Sequence, residues 1–276
     1  MVITNKLIYL QLQKTGSTHI TNLLNKLFDC KQYTKHGRIP PFLLEQNKYI
    51  IGSVRNPWDW YVSLWAFGCQ HNGGFYDRLT SRSITGNYLL MCPFKSILAS
   101  INEIIKPTRQ WQKLYRDHNN PDLFRNWIKL IFNPKRRLDL KEKYGFSPIS
   151  KHSGFFTYRY IYLYSKDLKN IYSKRHVGTV EKLIEFDKNH NILDDVIHNE
   201  NLEDDFIRIL DKIGCIIDEE KKNIIYSSNK SNISKRSKTK YYYNDETKNL
   251  VGKNEQLIIK NILTNSQNDH KKFLIL

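Results

Sequence analysis

The feature that most constrains the fold is an apolar run that breaks into a glycine-bearing turn and resumes at helical spacing. Leu7-Ile8-Tyr9-Leu10-Gln11-Leu12 reads as a buried strand. Gln13-Lys14-Thr15-Gly16-Ser17-Thr18 follows, and then Ile20, Leu23, Leu24, Leu27 and Phe28 fall on one helical face. A strand that turns directly into a helix leaves first-turn N–H groups without partners, and those groups with the helix dipole make an anion site. Gly16 lets the backbone approach a ligand, Lys14 adds a mobile positive charge, and Ser17 and Thr18 add hydroxyls. Taken alone, these residues equally suit an ordinary strand–turn–helix corner with a surface lysine. They do not make a nucleoside-triphosphate loop, which needs G-x-x-x-x-G-K-[ST]; here the lysine precedes the single glycine.

A second corner follows the first. Tyr49-Ile50-Ile51-Gly52-Ser53-Val54 is a short apolar, β-branched strand that ends in Arg55-Asn56-Pro57. Asn56 suits a helix N-cap and Pro57 the first helical position, with Trp58, Tyr61, Val62 and Trp65 at helical spacing behind them. Arg55 therefore stands at the carboxyl edge of a strand, where open α/β sheets bind ligands. Its guanidinium can grip a phosphate bidentately, and the Ser63 hydroxyl about two turns on can complete a cradle. Each residue alone has a plain alternative, Arg55 as a helix-end cation and Ser63 as a neutral helix residue.

The pair Lys14-Thr15-Gly16-Ser17-Thr18 and Val54-Arg55-Asn56-Pro57-Trp58-Asp59-x-x-Val62-Ser63 resembles the two nucleotide-binding motifs of the sulfotransferases that use 3′-phosphoadenosine 5′-phosphosulfate (PAPS). The carbohydrate branch is the most similar. The resemblance implies a P-loop NTPase-like α/β fold. It also implies that Lys14, Thr15, Gly16, Ser17 and Thr18 hold the 5′-phosphosulfate and that Arg55 and Ser63 hold the 3′-phosphate. The segment from Asn199 to Phe206 is similar to the family's strand-then-helix E-x-L-x-x-D-F element; Asn201 can cap it, and Phe206, Ile209, Leu210 and Ile213 form its apolar stripe. Asn232-Ile233-Ser234-Lys235-Arg236 looks like the late basic loop that closes on the 3′-phosphate, which brings Ser234, Lys235 and Arg236 into the donor site; a solvated basic loop is the other reading. Many relatives carry Arg where this chain has Trp60.

Alternation of strands and helices at both ends predicts an α/β fold with a central parallel sheet flanked by helices. One sulfotransferase-like domain over 1–276 is expected, with a helical insertion over about 93–150 and the basic loop at 227–240. The apolar residues between Ile97 and Ile131 carry the helical spacing of that insertion. The formal net charge of +17 attracts nucleic acid, anionic membranes, glycans and nucleotides alike, but no nucleic-acid-binding signature accompanies it and no nucleic-acid partner is expected. No apolar leader precedes the first strand and no run is long enough to span a bilayer, so a cytoplasmic setting is expected, with a prokaryotic or viral origin the simpler one. Cys30, Cys69, Cys92 and Cys215 show no metal-site spacing and read as free thiols, with a Cys69–Cys92 bridge left open.

In sulfuryl transfer an acceptor oxygen attacks in line and a phosphate oxygen leaves. Lys14 suits the leaving oxygen, where charge develops, and no metal is expected. The acceptor hydroxyl needs a base, and His36, between the first helix and the Arg55 strand, is the leading candidate. Some glycan sulfotransferases place a catalytic histidine in this interval; an exposed loop histidine is the alternative. His19 and Glu45 are weaker candidates, and His71 and His152 suit the acceptor side. The aromatic stretch from His152 to Tyr160 either lines that side or is a packed helix with a snorkelling Arg159. Trp58, Tyr61 and Trp65 read as core. The expected partners are PAPS, with adenosine 3′,5′-bisphosphate as product, and a hydroxyl-bearing acceptor, a glycan or glycoconjugate. Two other classes compete: a basic nucleic-acid- or glycan-binding protein on an inactive nucleotide fold, and a nucleoside kinase, which the missing Walker pattern disfavours.

Overall fold

The structure, a computed structural model, describes residues 1–83, 93–228 and 235–265, the last five by backbone alone. The strand alternation seen in sequence has a direct consequence in space. Ile8 and Leu10 join one hydrophobic cluster and Leu7 and Tyr9 another, so the sheet is buried on both faces. The first cluster holds Trp60, Trp65, Trp127 and Phe156; the second holds Ile20, Leu23, Leu24, Phe206 and Ile209. Helices Ser17–Leu27 and Leu202–Lys212 thus cover one face, and Pro57–Cys69 and Phe155–Tyr164 the other.

The five-stranded sheet has the order β3-β1-β2-β4-β5, with β1 Val2–Ile3, β2 Leu7–Tyr9, β3 Lys31–Gln32, β4 Tyr49–Val54 and β5 Asp195–His198. It is mixed, where sequence predicted a parallel sheet. β2, β4 and β5 pair in parallel, with Leu7 opposite Tyr49 and Val54 opposite His198. β1 pairs antiparallel with both β2 and β3. The reason is the tight Thr4–Leu7 turn, in which the Leu7 N–H donates to the Thr4 hydroxyl and the Thr4 N–H to the Leu7 carbonyl. A link that short can join only antiparallel neighbours.

Between β4 and β5 the described residues are mainly helical. Pro93–Ile105, Thr108–Leu114 and Pro121–Ile131 occupy the stretch expected to be a helical insertion, followed by short 3₁₀ turns. Trp60, Tyr61 and Trp65 are fully buried, while Trp58 is half-buried and donates from its indole to the Lys248 carbonyl. Tyr242 is buried against Trp65 and Phe124. Cys30, Cys69 and Cys215 are free thiols; Cys92 lies outside the described residues. Among the described residues no helix is long and apolar enough to cross a membrane.

Candidate functional site

The two strand–helix corners meet at one cavity of about 500 Å³. The first corner is the 13–18 loop. Gly16, at φ 81°, N-caps helix Ser17–Leu27, and no side chain caps its first turn. A methyl group on Gly16 would stand 2.6 Å from Leu202 Cδ1 and 3.0 Å from Asn199 Oδ1, so the left-handed backbone and the close neighbour both require glycine. Lys14 also takes a left-handed conformation, φ 62°, which a lysine adopts only when its surroundings enforce it. Two donors from the second corner do so. The Arg55 guanidinium donates to the Lys14 carbonyl at 3.0 Å and the Trp60 indole to the Gln13 carbonyl at 2.8 Å. Trp60 bolts the loop to helix Pro57–Cys69 while stacking on Phe156.

The second corner differs at its N-terminus. Asn56 accepts from the Trp58 and Asp59 N–H groups, so that helix is capped, and its own N–H donates to Glu200. Two helix starts at the cavity lack a side-chain cap, the one behind Gly16 and that of the short helix Gly74–Thr80 behind Gly73. Arg55 lies along Asp59, which also pairs with Arg236 at 2.7 Å and accepts from Thr239. Burial alone would raise the Asp59 carboxyl; the Arg55 and Arg236 charges and the Thr239 hydroxyl outweigh it and hold it low. The late basic segment therefore reaches the cavity through Arg236. Lys235 is exposed and does not line it, and Ser234 lies outside the described residues.

Lys14 Nζ sits 3.8 Å from the centre of the Phe67 ring. Its burial, and then the neighbouring Arg55, Arg236 and Lys35 charges, bring its pKa down to about 8. Gly16, Ser17, Thr18, Ser63 and His36 line the same space. Thr15 does not: its hydroxyl is buried, donating to the Leu12 carbonyl and meeting Ser53 at 2.6 Å. The αL turn at Gly16 leaves Thr15 pointing into the core as an anchor of the loop.

His36 also has a left-handed backbone, φ 58°. Its Nδ1 lies 2.8 Å from the Gln11 carbonyl, which can only accept, so Nδ1 carries the proton and Nε2 is left with a lone pair. Burial lowers the pKa to about 4, against the opposing Gln11 bond. The ring is therefore neutral at pH 7. His19 lines the cavity but pairs with Glu203 at 3.3 Å. The other base and acceptor-side candidates stand elsewhere: Glu45 is exposed at the end of a short helix, His71 bonds Tyr76, and His152 bonds Ser153 and the Val177 carbonyl. The 155–164 stretch is a packed helix. Arg159 does not snorkel; it is 4% exposed and bonds Glu142, whose other partner is Arg78. Burial would raise the Glu142 carboxyl, but Arg159 and Arg78 hold it down at about 2.

Several lining groups carry no sequence signal. Arg78, Phe67 and the Asn72–Tyr76 wall belong to no motif. Asp59, behind the wall, does have one, since it stands four residues after Arg55. The 199–206 element packs onto the loop through Leu202 and Asn199. Asn201 stands at its N-cap position without making the side-chain cap bond; order comes instead from Asp205, which accepts from the His198 N–H at 2.8 Å and the His198 ring at 2.7 Å. Among the described residues the cavity wall carries five cationic side chains (Lys14, Lys35, Arg55, Arg78 and Arg236) and no carboxylate. Comparison with family profiles, curated proteins and solved structures returned no match.

Proposed function

We propose that this chain is a PAPS-dependent sulfotransferase acting on a carbohydrate hydroxyl, on a P-loop-like sulfotransferase fold. The observation that carries the reading is the meeting of both anion corners at one carboxylate-free, five-cation cavity. A donor with a phosphosulfate at one end and a 3′-phosphate at the other needs two such grips a nucleotide apart. The uncapped helix start with Lys14, Ser17 and Thr18 suits the first; Arg55, Ser63 and Arg236 suit the second.

The chain's own groups then have distinct tasks. Lys14 stabilises charge on the leaving phosphate oxygen, where the gain is largest in the transition state. Its lowered pKa also lets it give up a proton more readily than a surface lysine. His36 Nε2 takes the proton of the acceptor hydroxyl, and the Nδ1–Gln11 bond fixes the tautomer that makes this possible. The Thr15 and Trp60 side chains position the loop without touching the donor.

Incubation with PAPS and a panel of sugar acceptors should release adenosine 3′,5′-bisphosphate, and Lys14→Ala should suppress that release. His36→Ala should lower kcat while sparing bisphosphate affinity; equal loss of both would remove it from the base role. The competing reading, a polyanion-binding protein with a silent nucleotide site, is favoured by the +17 charge. It predicts affinity that is indifferent to the 3′-phosphate and falls steeply with salt, which titration of the nucleotide with and without that phosphate distinguishes.

A further inference from the structure

Helix Pro93–Ile105 is built inside out. Its buried residues are Ser96, Ala99, Asn102 and Glu103. Its exposed residues are Phe94, Ile97, Leu98, Ile101, Ile104 and Ile105, with Phe94 67% and Ile104 and Ile105 each 61% exposed. That spacing is one continuous stripe along a helix. A water-facing helix ordinarily has the opposite arrangement, and contiguous exposed apolar surface marks an interaction site.

The inward polar side has a structural purpose. Glu103 accepts from the Ser83 N–H at 2.9 Å and from Lys106 at 2.8 Å, and pairs with Lys141 at 3.3 Å. Lys106, itself fully buried, also donates to the Arg78 carbonyl at 2.8 Å. The helix is thus fastened by polar contacts to the segment that carries the Arg78 wall of the cavity. This seat fixes which face turns outward and leaves the apolar stripe uncovered.

Charge decides what the stripe meets. From residue 93 to 116 the ionisable acids and bases are Glu103, Lys95, Lys106, Arg109, Lys113 and Arg116. Glu103 and Lys106 neutralise each other inside. Every charge left at the surface of this stretch is positive. A second copy of the chain would bring like charges together at its rim, and the whole molecule carries +17. Aliphatic side chains exposed along one helix face, with cations close to them in the chain, match a fluid hydrocarbon surface beneath anionic headgroups.

We infer that helix Pro93–Ile105 docks this protein, lying flat, onto an anionic lipid surface. The inference is independent of the sulfuryl-transfer reading. Its consequence for any activity at the cavity is that the Arg78 wall is held near the membrane, within reach of acceptors displayed there.

The test is cosedimentation of the full chain with phosphatidylcholine vesicles, with and without about 30 mol% phosphatidylserine. The expected result is binding to the anionic vesicles, roughly tenfold weaker on neutral ones, and a further loss of at least about tenfold for the triple variant Ile97→Gln, Ile101→Gln, Ile104→Gln. These positions face solvent, so the thermal midpoint and adenosine 3′,5′-bisphosphate affinity of the variant should match wild type. A second variant, Arg109→Gln with Lys113→Gln, should weaken anionic binding and leave neutral binding alone. Triple-variant binding equal to wild type would overturn the proposal. So would wild type that ignores vesicles and either dimerises through this face by analytical ultracentrifugation or stays monomeric, which would assign the stripe to a second copy or to a segment of the same chain.

Discussion

Two carboxylates behind the cavity wall each hold a pair of arginines, and the pairs differ in where their surplus charge lies. Asp59 holds Arg55 and Arg236, and both line the cavity. Glu142 holds Arg78 and Arg159, and only Arg78 lines it. Arg159 is buried over the Phe155 ring, with Nη1 lacking a partner. The same chemistry therefore yields a grip in one place and a brace in the other. An arginine pair that shares one acid is left with a net positive charge. Where that charge meets the cavity it favours an anionic guest; where it meets protein it must be compensated or it costs stability.

The largest expected effect is on the brace. Glu142→Ala leaves Arg159 buried and uncompensated and should destabilise the fold by about 3 kcal/mol. Asp59→Ala should cost nearer about 1 kcal/mol, because Arg55 and Arg236 can turn toward the open cavity. Urea denaturation of both variants measures this, and equal losses would erase the distinction. The Glu142 contribution has a definite pH sense. Its folded pKa of about 2 lies below the ordinary 4.5, so the stabilisation is full above pH 4.5 and is lost as pH falls toward 2. The gap between wild type and Glu142→Gln should close over that window.

The next effect is on the grip. Arg55→Ala should weaken adenosine 3′,5′-bisphosphate binding by about 2–3 kcal/mol, the scale of a lost charge-assisted contact, whereas Arg78→Ala should cost it less than about 1 kcal/mol. Calorimetric titration of both variants ranks them, and the reverse order would move the anion grip to the other wall.

The smallest effect is on protonation of the grip. Free Lys14 is depressed to about 8, so its charge is present below pH 8 and lost above it. Bisphosphate affinity should decline as pH rises past 8, by up to roughly tenfold per unit once Lys14 must take up a proton to bind. The slope should vanish in Lys14→Met. An unchanged slope there would place the titrating group elsewhere.

The two strand–turn–helix corners were legible in the sequence because their parts are local. A strand, a turn glycine and a helix start fix Lys14, Ser17 and Thr18 within a few residues, and Arg55 repeats the pattern. The brace was not legible. Arg78, Glu142 and Arg159 come from three separate segments, and no spacing links residues that only tertiary packing brings together. The inward turn of the Thr15 hydroxyl was not legible for a subtler reason: it is set by backbone angles, and composition does not report φ. The antiparallel edge escaped because β1 is only two residues long, too short for any periodicity. The apolar spacing between Ile97 and Ile105 predicted a helix correctly but not its orientation, since a period tells which residues share a face and not which way that face turns.

The bonds from Trp60 and Arg55 to the Gln13 and Lys14 carbonyls carry one more implication. A peptide unit is planar, with its oxygen and its hydrogen on opposite sides. Tethering two successive oxygens therefore also aims two hydrogens, those of Lys14 and Thr15, without any help from the lysine ammonium. Under the proposed function, part of the discrimination between negative and neutral guests would lie in the main chain, and a Lys14→Ala protein should bind more feebly yet still prefer adenosine 3′,5′-bisphosphate to adenosine.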